Sequence, residues 1–227
     1  DLEKFFSEKK ESRFIPDLIS SLKDMPPTMK KLGLIQFFSW FAFFTMWSLS
    51  TPALTEHVYH SPKPNVKEFA KLDKEGEALK NDKKEIVFLN QITESDYKAK
   101  DKVYNNSADL VGSATGVYGL SSMAFALLLT CNTLKRKING RYIHMASLML
   151  GGLGFIYMFF ATPSTLMYSF ILIGFSWGSI LSMPYAMLSS SVNPDKMGMM
   201  MGLFNMFIVI PQIIAALGGI NFLYKLI

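Results

Sequence analysis

The most constraining feature of this sequence is a stretch of 53 residues, from Tyr142 to Pro194, that contains no Asp, Glu, Lys or Arg. A helix on the surface of a soluble protein rarely continues for more than about 20 residues without a charged face. Half of all residues in the chain are hydrophobic, so the apolar character is not confined to this block. A stretch of this kind needs lipid around it, and the sequence therefore predicts an integral membrane protein.

Uncharged runs long enough to cross a membrane occur five times. Crossing about 30 Å of hydrocarbon takes about 20 apolar residues in a helix. Unpaired backbone is prohibitive in lipid, and the runs are too continuously apolar for the alternating strands of a barrel. The predicted fold class is therefore an all-α membrane protein with five transmembrane helices. The five runs are Leu32–Leu54, Leu110–Leu134, Tyr142–Ala161, Leu166–Leu188 and Met197–Leu223.

The basic residues between the runs predict the orientation. If the spans alternate, Lys30, Lys31, the loop 135–141 and Lys196 all fall on one side, which the positive-inside rule makes cytoplasmic. The net charge of +5 would suggest nucleic acid as a partner for a soluble protein. Here the cations lie at the ends of apolar blocks, so we expect no nucleic acid and a multi-pass protein in the plasma membrane, or in the inner membrane of a bacterium.

The long polar segment between the first two runs is predicted to lie on the opposite, extracytoplasmic side. It has ten Lys and ten Asp or Glu between Val58 and Asp109, so its charges cancel. Long translocated loops largely escape the positive-inside rule. Within it, Val66–Lys84 is rich in Lys, Glu, Ala and Leu, which favours a short solvated helix, with a mobile polar loop as the alternative.

Ionisable side chains are almost absent from the five runs, which argues against an ion pump or an intramembrane protease. Intramembrane charges are the usual markers of ion pathways and proton relays, and none of the runs contains Asp, Glu, Lys or Arg. His144 lies near the basic loop and is interpreted as an interfacial polar anchor. With no catalytic pair and no cluster of metal ligands, we expect neither an enzyme nor a cofactor nor a metal. The single cysteine, Cys131, excludes an internal disulfide.

Uncharged polar and aromatic side chains remain as candidates for function. They suit a neutral polar substrate such as a sugar, whose hydroxyls take hydrogen bonds while its apolar face lies on an aromatic ring. Tryptophan at the lipid interface is the alternative interpretation. In the first and fourth runs such residues recur near helical spacing: Gln36, Trp40, Trp47 and Thr51, then Gly174, Trp177, Leu181 and Tyr185.

Glycine and proline add hints about helix packing. Pairs of glycines four residues apart let helices approach closely and predict a tight bundle. Pro52 and Pro184 interrupt the first and fourth runs, and interrupted helices at matching positions point to a transport cavity, with simple kinks as the alternative. The glycine pairs are Gly112 with Gly116, Gly174 with Gly178, and Gly198 with Gly202.

Two stretches of the sequence carry a family likeness. Ser182–Leu188 contains the order Pro-aromatic-Ala, and Gly198–Ile213 follows the pattern Gly-x3-Gly-x2-Asn-x2-Ile-Val-x-Pro-Gln. Together they resemble the tenth and eleventh spans of sucrose-type, glycoside-pentoside-hexuronide-like sugar:cation symporters of the major facilitator superfamily. Gly140 and Arg141 are similar to part of the superfamily's basic loop motif, while Lys137 and Tyr142 depart from it.

The resemblance implies a domain organisation. The chain would contain spans seven to eleven of twelve, that is, five helices of a six-helix half-bundle. Residues 1–28 would form a cytosolic or interfacial linker helix, 29–57 span seven, 58–109 the extracytoplasmic charged loop, and 110–227 spans eight to eleven. The odd number of spans and the initial Asp1 lead us to expect a fragment that lacks the N-terminal half and the last span.

The resemblance also implies a function. Members move a sugar or glycoside by alternating access, coupled to a proton gradient, so the expected partners are the sugar, the proton, the lipid bilayer and the N-terminal half. Gln36, Trp40, Trp177 and Tyr185 would face the sugar. Asn205 and Gln212 would bind it or hydrogen-bond between helices. A membrane sensor or scaffold that keeps this fold without transport is the competing hypothesis.

Overall fold

The computed structural model describes residues 22–133 and 139–219, together with Ser20. These residues are mostly helical and contain no β-strand. The linker helix is predicted for residues 1–28, and its first 19 residues lie outside the described part of the chain. The residues beyond 219 also lie outside it. The long helices are α1 (Pro27–His57), α2 (Gln91–Thr133), α3 (Gly140–Met158), α4 (Leu166–Ser189) and α5 (Met197–Ile214).

Each predicted span overlaps one of these helices, but the prediction of five spans is confirmed only in part. Within the described ranges, four helices are long and apolar enough to cross a membrane: those containing Pro27–His57, Gln91–Thr130, Leu166–Ser189 and Pro194–Gly218. Helix α3, at the place of the third predicted span, is not among them. Its first two turns include Arg141 and His144, which lower its mean hydropathy. The four apolar helices are compatible with a multi-pass membrane protein.

Asparagine side chains cap the start of α3 and the start of the turn that leads into α5. The Asn139 side chain accepts a hydrogen bond from the Arg141 N–H at 3.0 Å and so caps the start of α3. The Asn193 side chain does the same for Asp195 at 3.1 Å, where a 3₁₀ turn, Pro194–Lys196, leads into α5. Beyond α5, a π-helical turn at Ala215–Gly219 ends the described chain.

Helix α2 is far longer than a membrane is thick. Its 43 residues extend for about 65 Å, roughly twice the hydrocarbon thickness. It begins at Gln91, well before Leu110, where the uncharged run starts. The first part carries ion pairs one turn apart, Lys98 with Glu94 and Lys100 with Asp96, on exposed side chains. This part of α2 therefore belongs to the polar segment that precedes the span.

The chain divides into two compact units, which are described separately. The first unit contains the described residues up to Thr45 and those from Ile180 onward. Its core is rich in methionine, whose flexible side chain fills irregular gaps between helices. The buried members of this core are Met25, Met29, Leu32, Leu188, Val192, Met200, Leu203 and Phe204.

The second unit, Met46–Ser179, packs its helices through small residues. A Cβ at Gly174 would overlap the Ser121 hydroxyl and the Tyr118 carbonyl oxygen, and one at Gly178 would lie 2.8 Å from the Ser122 carbonyl oxygen. The expectation of close helix contact is therefore confirmed for this glycine pair, between α4 and α2. It is not confirmed for the other two pairs, because a Cβ there would meet nothing within 4 Å in the described part of the chain: Gly112, Gly116, Gly198 and Gly202.

In the polar segment between α1 and α2, the solvated helix predicted for Val66–Lys84 is not observed. Only Val66–Glu68 is helical, as one 3₁₀ turn. The following residues form three short extended stretches joined by a closed ring of hydrogen bonds. The N–H of Lys71 donates to the Val87 carbonyl, that of Val87 to the Leu79 carbonyl, and that of Leu79 to the Lys71 carbonyl, at 2.7–2.9 Å.

Two turns with the same geometry connect these stretches. The Asp73 side chain accepts from the N–H groups two and four residues later, and the Asn81 side chain does the same. In both turns the residue three positions after the acceptor has a positive φ: 77° at Gly76 and 63° at Lys84. Asp and Asn favour such turns because their side chains replace backbone hydrogen bonds, which outweighs the weak helix propensity of the intervening residues.

The turns pack on the polar part of α2. The Tyr97 ring lies 5.7 Å from Phe69 and 5.4 Å from Phe88, and the Lys100 Nζ lies 4.9 Å from the centre of the Phe69 ring. Burial, with Asp101 as a smaller cause, raises the pKa of Tyr97. We call residues 58–109 the outer segment, whose turns are closed by hydrogen bonds and pack on the polar part of α2.

Replacing Gly174 by Ala should destabilise the chain in detergent by about 1–3 kcal/mol, because the added methyl collides with the backbone of α2. Gly119→Ala is the matched control, since a Cβ there meets nothing within 4 Å and alanine favours a helix. Thermal unfolding followed by circular dichroism measures both. Equal melting temperatures for the two variants would contradict the close contact.

Replacing Lys84 by Gly should stabilise the outer segment by about 0.5–1 kcal/mol, because glycine adopts a positive φ without strain. The measurement is amide hydrogen exchange at Val87, which should slow. Lys83→Gly, one residue earlier, should speed exchange instead. Faster exchange in Lys84→Gly would show that the left-handed geometry does not limit this turn.

Candidate functional site

The predicted site residues divide between the two units. Five belong to the first unit and Trp177 to the second. The structure brings some of these residues into contact and leaves others apart. The five in the first unit are Gln36, Trp40, Tyr185, Asn205 and Gln212.

Tyr185 and Asn205 form a direct pair between α4 and α5. The Tyr185 hydroxyl donates a hydrogen bond to the Asn205 Oδ1 at 2.8 Å. The Tyr185 ring contacts Phe204 edge-on, with 5.7 Å between ring centres. Asn205 is exposed, so its Nδ2 can donate while the phenol oxygen can still accept. This uncharged pair can recognise a ligand that has both donors and acceptors.

Gln36 has a structural role that the sequence did not reveal. Its side chain is fully buried, and its Nε2 donates to the Ile180 carbonyl at 3.3 Å. Ile180 lies four residues before Pro184, and a proline lacks the N–H that would bind this carbonyl within a helix. Gln36 therefore supplies the missing donor from α1. Its Oε1 is buried and has no hydrogen-bond partner among the described residues.

Gln212 makes its side-chain hydrogen bond within α5. The Gln212 Nε2 donates to the Ile208 carbonyl within α5 at 3.0 Å, so this amide serves its own helix. Trp40 is half-buried in α1. Asn205 and Gln212 share a face of α5 by spacing, but the hydrogen bonds join them to different partners.

Trp177 belongs to an aromatic cluster in the second unit. Its ring lies edge-on to Trp47 at 5.0 Å and 6.4 Å from the ring of Tyr118. Trp47 is 39% exposed, so it offers an accessible ring surface, whereas Tyr118 is buried. The three residues come from α1, α2 and α4. We call this set the aromatic cluster.

His144 is not the interfacial anchor that the sequence suggested. Its side chain is 3% exposed, and its Nδ1 lies 2.8 Å from the Ser179 hydroxyl on α4. Its Nε2 is buried and has no hydrogen-bond partner in the described part of the chain. The imidazole therefore faces protein and not lipid headgroups.

We also looked at possible metal sites and at the open grooves of the surface. Within residues 22–133 and 139–219, no three His, Cys, Asp or Glu side chains converge on a position that could hold a metal ion. Open grooves of about 590 Å³ and 660 Å³ lie on the outer segment, and no predicted site residue lines them. The first is bordered by Lys63, Glu68, Phe69 and Lys100, among others.

Comparison with known proteins gives no further guide, since the chain matches no protein family model, no curated protein and no solved structure. The likeness to sugar:cation symporters, and the role of the six site residues in binding sugar, stay predictions.

Sequence reasoning missed three of the contacts just described. It did not include Tyr118 in the aromatic cluster, and it did not pair His144 with Ser179. It also did not anticipate the donor for Ile180, although the four-residue offset from Pro184 shows that a carbonyl must be left free there. The spacing along one helix cannot identify which neighbouring helix supplies the partner.

The bond between Gln36 and Ile180 can be tested with a double-mutant cycle. Gln36→Leu should cost about 1–3 kcal/mol, because the Ile180 carbonyl is left buried and unpaired. In a Pro184→Ala background the new N–H can bind that carbonyl, so the same change should cost much less. Unfolding in detergent gives both values.

Gln212→Leu is the matched control, since the Gln212 bond lies within one helix, away from the Ile180 carbonyl. Its cost should be the same in both backgrounds. If Gln36→Leu also costs the same in both, Gln36 does not compensate for the proline.

Proposed function

We propose that this chain is part of a secondary transporter that moves a sugar or glycoside across a membrane by alternating access, coupled to protons. The observation that carries the proposal is the aromatic cluster, which lies in helices whose apolar runs contain no charged side chain. An uncharged site with accessible aromatic rings suits a neutral polyol better than an ion.

The chemistry of a sugar fits both groups of residues. A pyranose has an apolar face that packs on an aromatic ring, and Trp47 offers such a surface beside Trp177. Its hydroxyls both donate and accept hydrogen bonds, as do Tyr185 and Asn205. We propose that the Tyr185–Asn205 pair and the aromatic cluster, each within its own unit, are surfaces that can bind a sugar in the complete transporter.

Alternating access requires helices that can bend, and α4 has a suitable point. The Ile180 carbonyl is held by a side chain from another helix and not by its own, so the backbone there can change direction at small cost. We propose that a second half-bundle forms the other wall of the site, as the resemblance implies.

The direct test is transport by the chain expressed within its full reading frame and reconstituted in liposomes. Adding a transported sugar outside should drive protons inward and alkalinise the medium, and a protonophore should abolish sugar accumulation. If no mono- or disaccharide in a broad panel moves protons or accumulates, the chain is a scaffold or sensor. The chain alone should not accumulate sugar, because we expect the second half-bundle to complete the site.

Tyr185→Phe should weaken apparent sugar affinity about three- to tenfold, because a neutral hydroxyl contributes about 0.5–1.5 kcal/mol to a hydrogen-bonded site. Tyr168→Phe on the same helix is the control, since that ring is exposed and lies well before the site. Uptake as a function of sugar concentration measures both. Equal half-saturation values in the two variants would remove Tyr185 from the site.

A further inference from the structure

The buried imidazole of His144 remains unexplained by the proposed sugar site. It lies in the second turn of α3, and its Nδ1 is held by the Ser179 hydroxyl at 2.8 Å. Its Nε2 is shielded from solvent and makes no hydrogen bond with any described residue. A hydrophobic residue would fill this place without leaving a polar atom unpaired.

No acidic side chain accompanies His144 in the apolar runs. Tyr168 and Tyr185 are the titratable residues of α4, and Tyr118 and Cys131 those of the apolar part of α2. Helix α1 carries its charges near its two ends, and none of these helices has a carboxylate within its apolar run. Besides His144, the charged or titratable residues of α3 are Arg141, Tyr142 and Tyr157, and all three are exposed.

Histidine is therefore the one side chain in these runs that ordinarily changes charge near neutral pH. The His144 Nε2 is shielded from solvent, and a charge on the ring would meet no counter-ion among the described residues, so the closed packing of α3 against α4 favours the neutral ring. If these helices separate, water reaches Nε2, and the ring can then take a proton below about pH 6.5, as an exposed imidazole does.

We propose that His144 Nε2 is a proton-binding site, closed in this conformation and opened when α3 and α4 separate. The Nδ1–H donates to Ser179, which leaves the Nε2 lone pair to accept a proton from water and give an imidazolium. Closing returns that proton to water. The proton site itself can be tested without sugar; its use in driving transport rests on the proposed function.

The proposal predicts how separation depends on pH. Because the open form binds one more proton than the closed form, its population should rise about tenfold for each pH unit below about 6.5. Above that pH the population should be constant. A slope of one decade per unit corresponds to one proton, so the measurement also counts the protons.

Ser176 provides the reporter for this experiment. It is 3% exposed, and a Cβ on Gly151 of α3 would overlap it, so a thiol there becomes accessible only when the helices separate. The chain with Cys131→Ala and Ser176→Cys is placed in lipid nanodiscs and labelled with a water-soluble thiol reagent between pH 5 and 8. Rates are corrected for the thiolate fraction with a free cysteine peptide.

We expect the corrected rate to rise about tenfold per unit below pH 6.5 in this chain and to be independent of pH in His144→Gln. The control His57→Gln with His60→Gln, both outside the described contact of α3 with α4, should keep the full slope. An identical slope with and without His144, or no slope in either chain, overturns the proposal.

A second measurement covers the case in which His144→Gln does not fold. The chain contains three histidines, so imidazole ¹⁵N signals can be resolved and followed through the same titration. In the chain with His57→Gln and His60→Gln, His144 is the remaining histidine. Its signal should change to that of the charged ring over the same pH range in which thiol labelling rises. Labelling that rises while this signal stays neutral overturns the proposal. Loss of sugar transport with the pH response intact would count against the proposed function alone.

Discussion

The structure depends on the requirement that backbone polar groups in lipid find partners within the protein. Pro184 breaks this rule inside α4, because it leaves the Ile180 carbonyl without its helical donor. Gln36 restores the partner from α1, at the cost of burying a full amide side chain. A single uncharged residue thus lets a proline remain in the middle of an apolar helix.

The same requirement explains why small polar residues dominate the helix contacts in the second unit. Lipid gives helices no hydrophobic reason to associate, so they depend on close packing and hydrogen bonds. The Ser121 hydroxyl donates to the Ile171 carbonyl of α4 at 3.1 Å, beside the glycine that lets the two backbones approach. Ser176 and Ser179 are buried on the face of α4 that meets α3. The same small residues therefore bring the helices close together and supply hydrogen bonds between them.

The sequence predicted the helices well where their cause is local. The fourth apolar run, Leu166–Leu188, corresponds to a helix at Leu166–Ser189, because length, hydropathy and the absence of charge act along the chain itself. The outer segment was predicted wrongly at Val66–Lys84. There the helix propensity of Lys, Glu and Ala is weak, and the side chains of Asp73 and Asn81 close turns instead. Asp73 followed by Gly76 was the available signal.

For the candidate site, the sequence identified residue types but not their partners. Trp177 and Tyr185 were chosen from the spacing along one helix, which is set by local geometry. Their contacts with Trp47 and Asn205 depend on how neighbouring helices are rotated and shifted, and no pattern within one segment fixes that. Gln36 is a predicted sugar ligand for the same reason, and its bond to a backbone carbonyl of α4 is a contact that this spacing does not predict.

The Gln36 Oε1 and the His144 Nε2 are buried and have no hydrogen-bond partner among the described residues. The His144 Nε2 costs free energy in this conformation, and leucine there would avoid that cost. The cost of the Gln36 Oε1, in contrast, accompanies the hydrogen bond that the Gln36 Nε2 gives to Ile180. A protein with a single stable arrangement gains nothing from such atoms. A protein that alternates between two arrangements can keep them, because an atom that is unpaired in one arrangement is paired or hydrated in the other. In the transporter that we propose, the His144 Nε2 would thus lower the free-energy difference between the two arrangements.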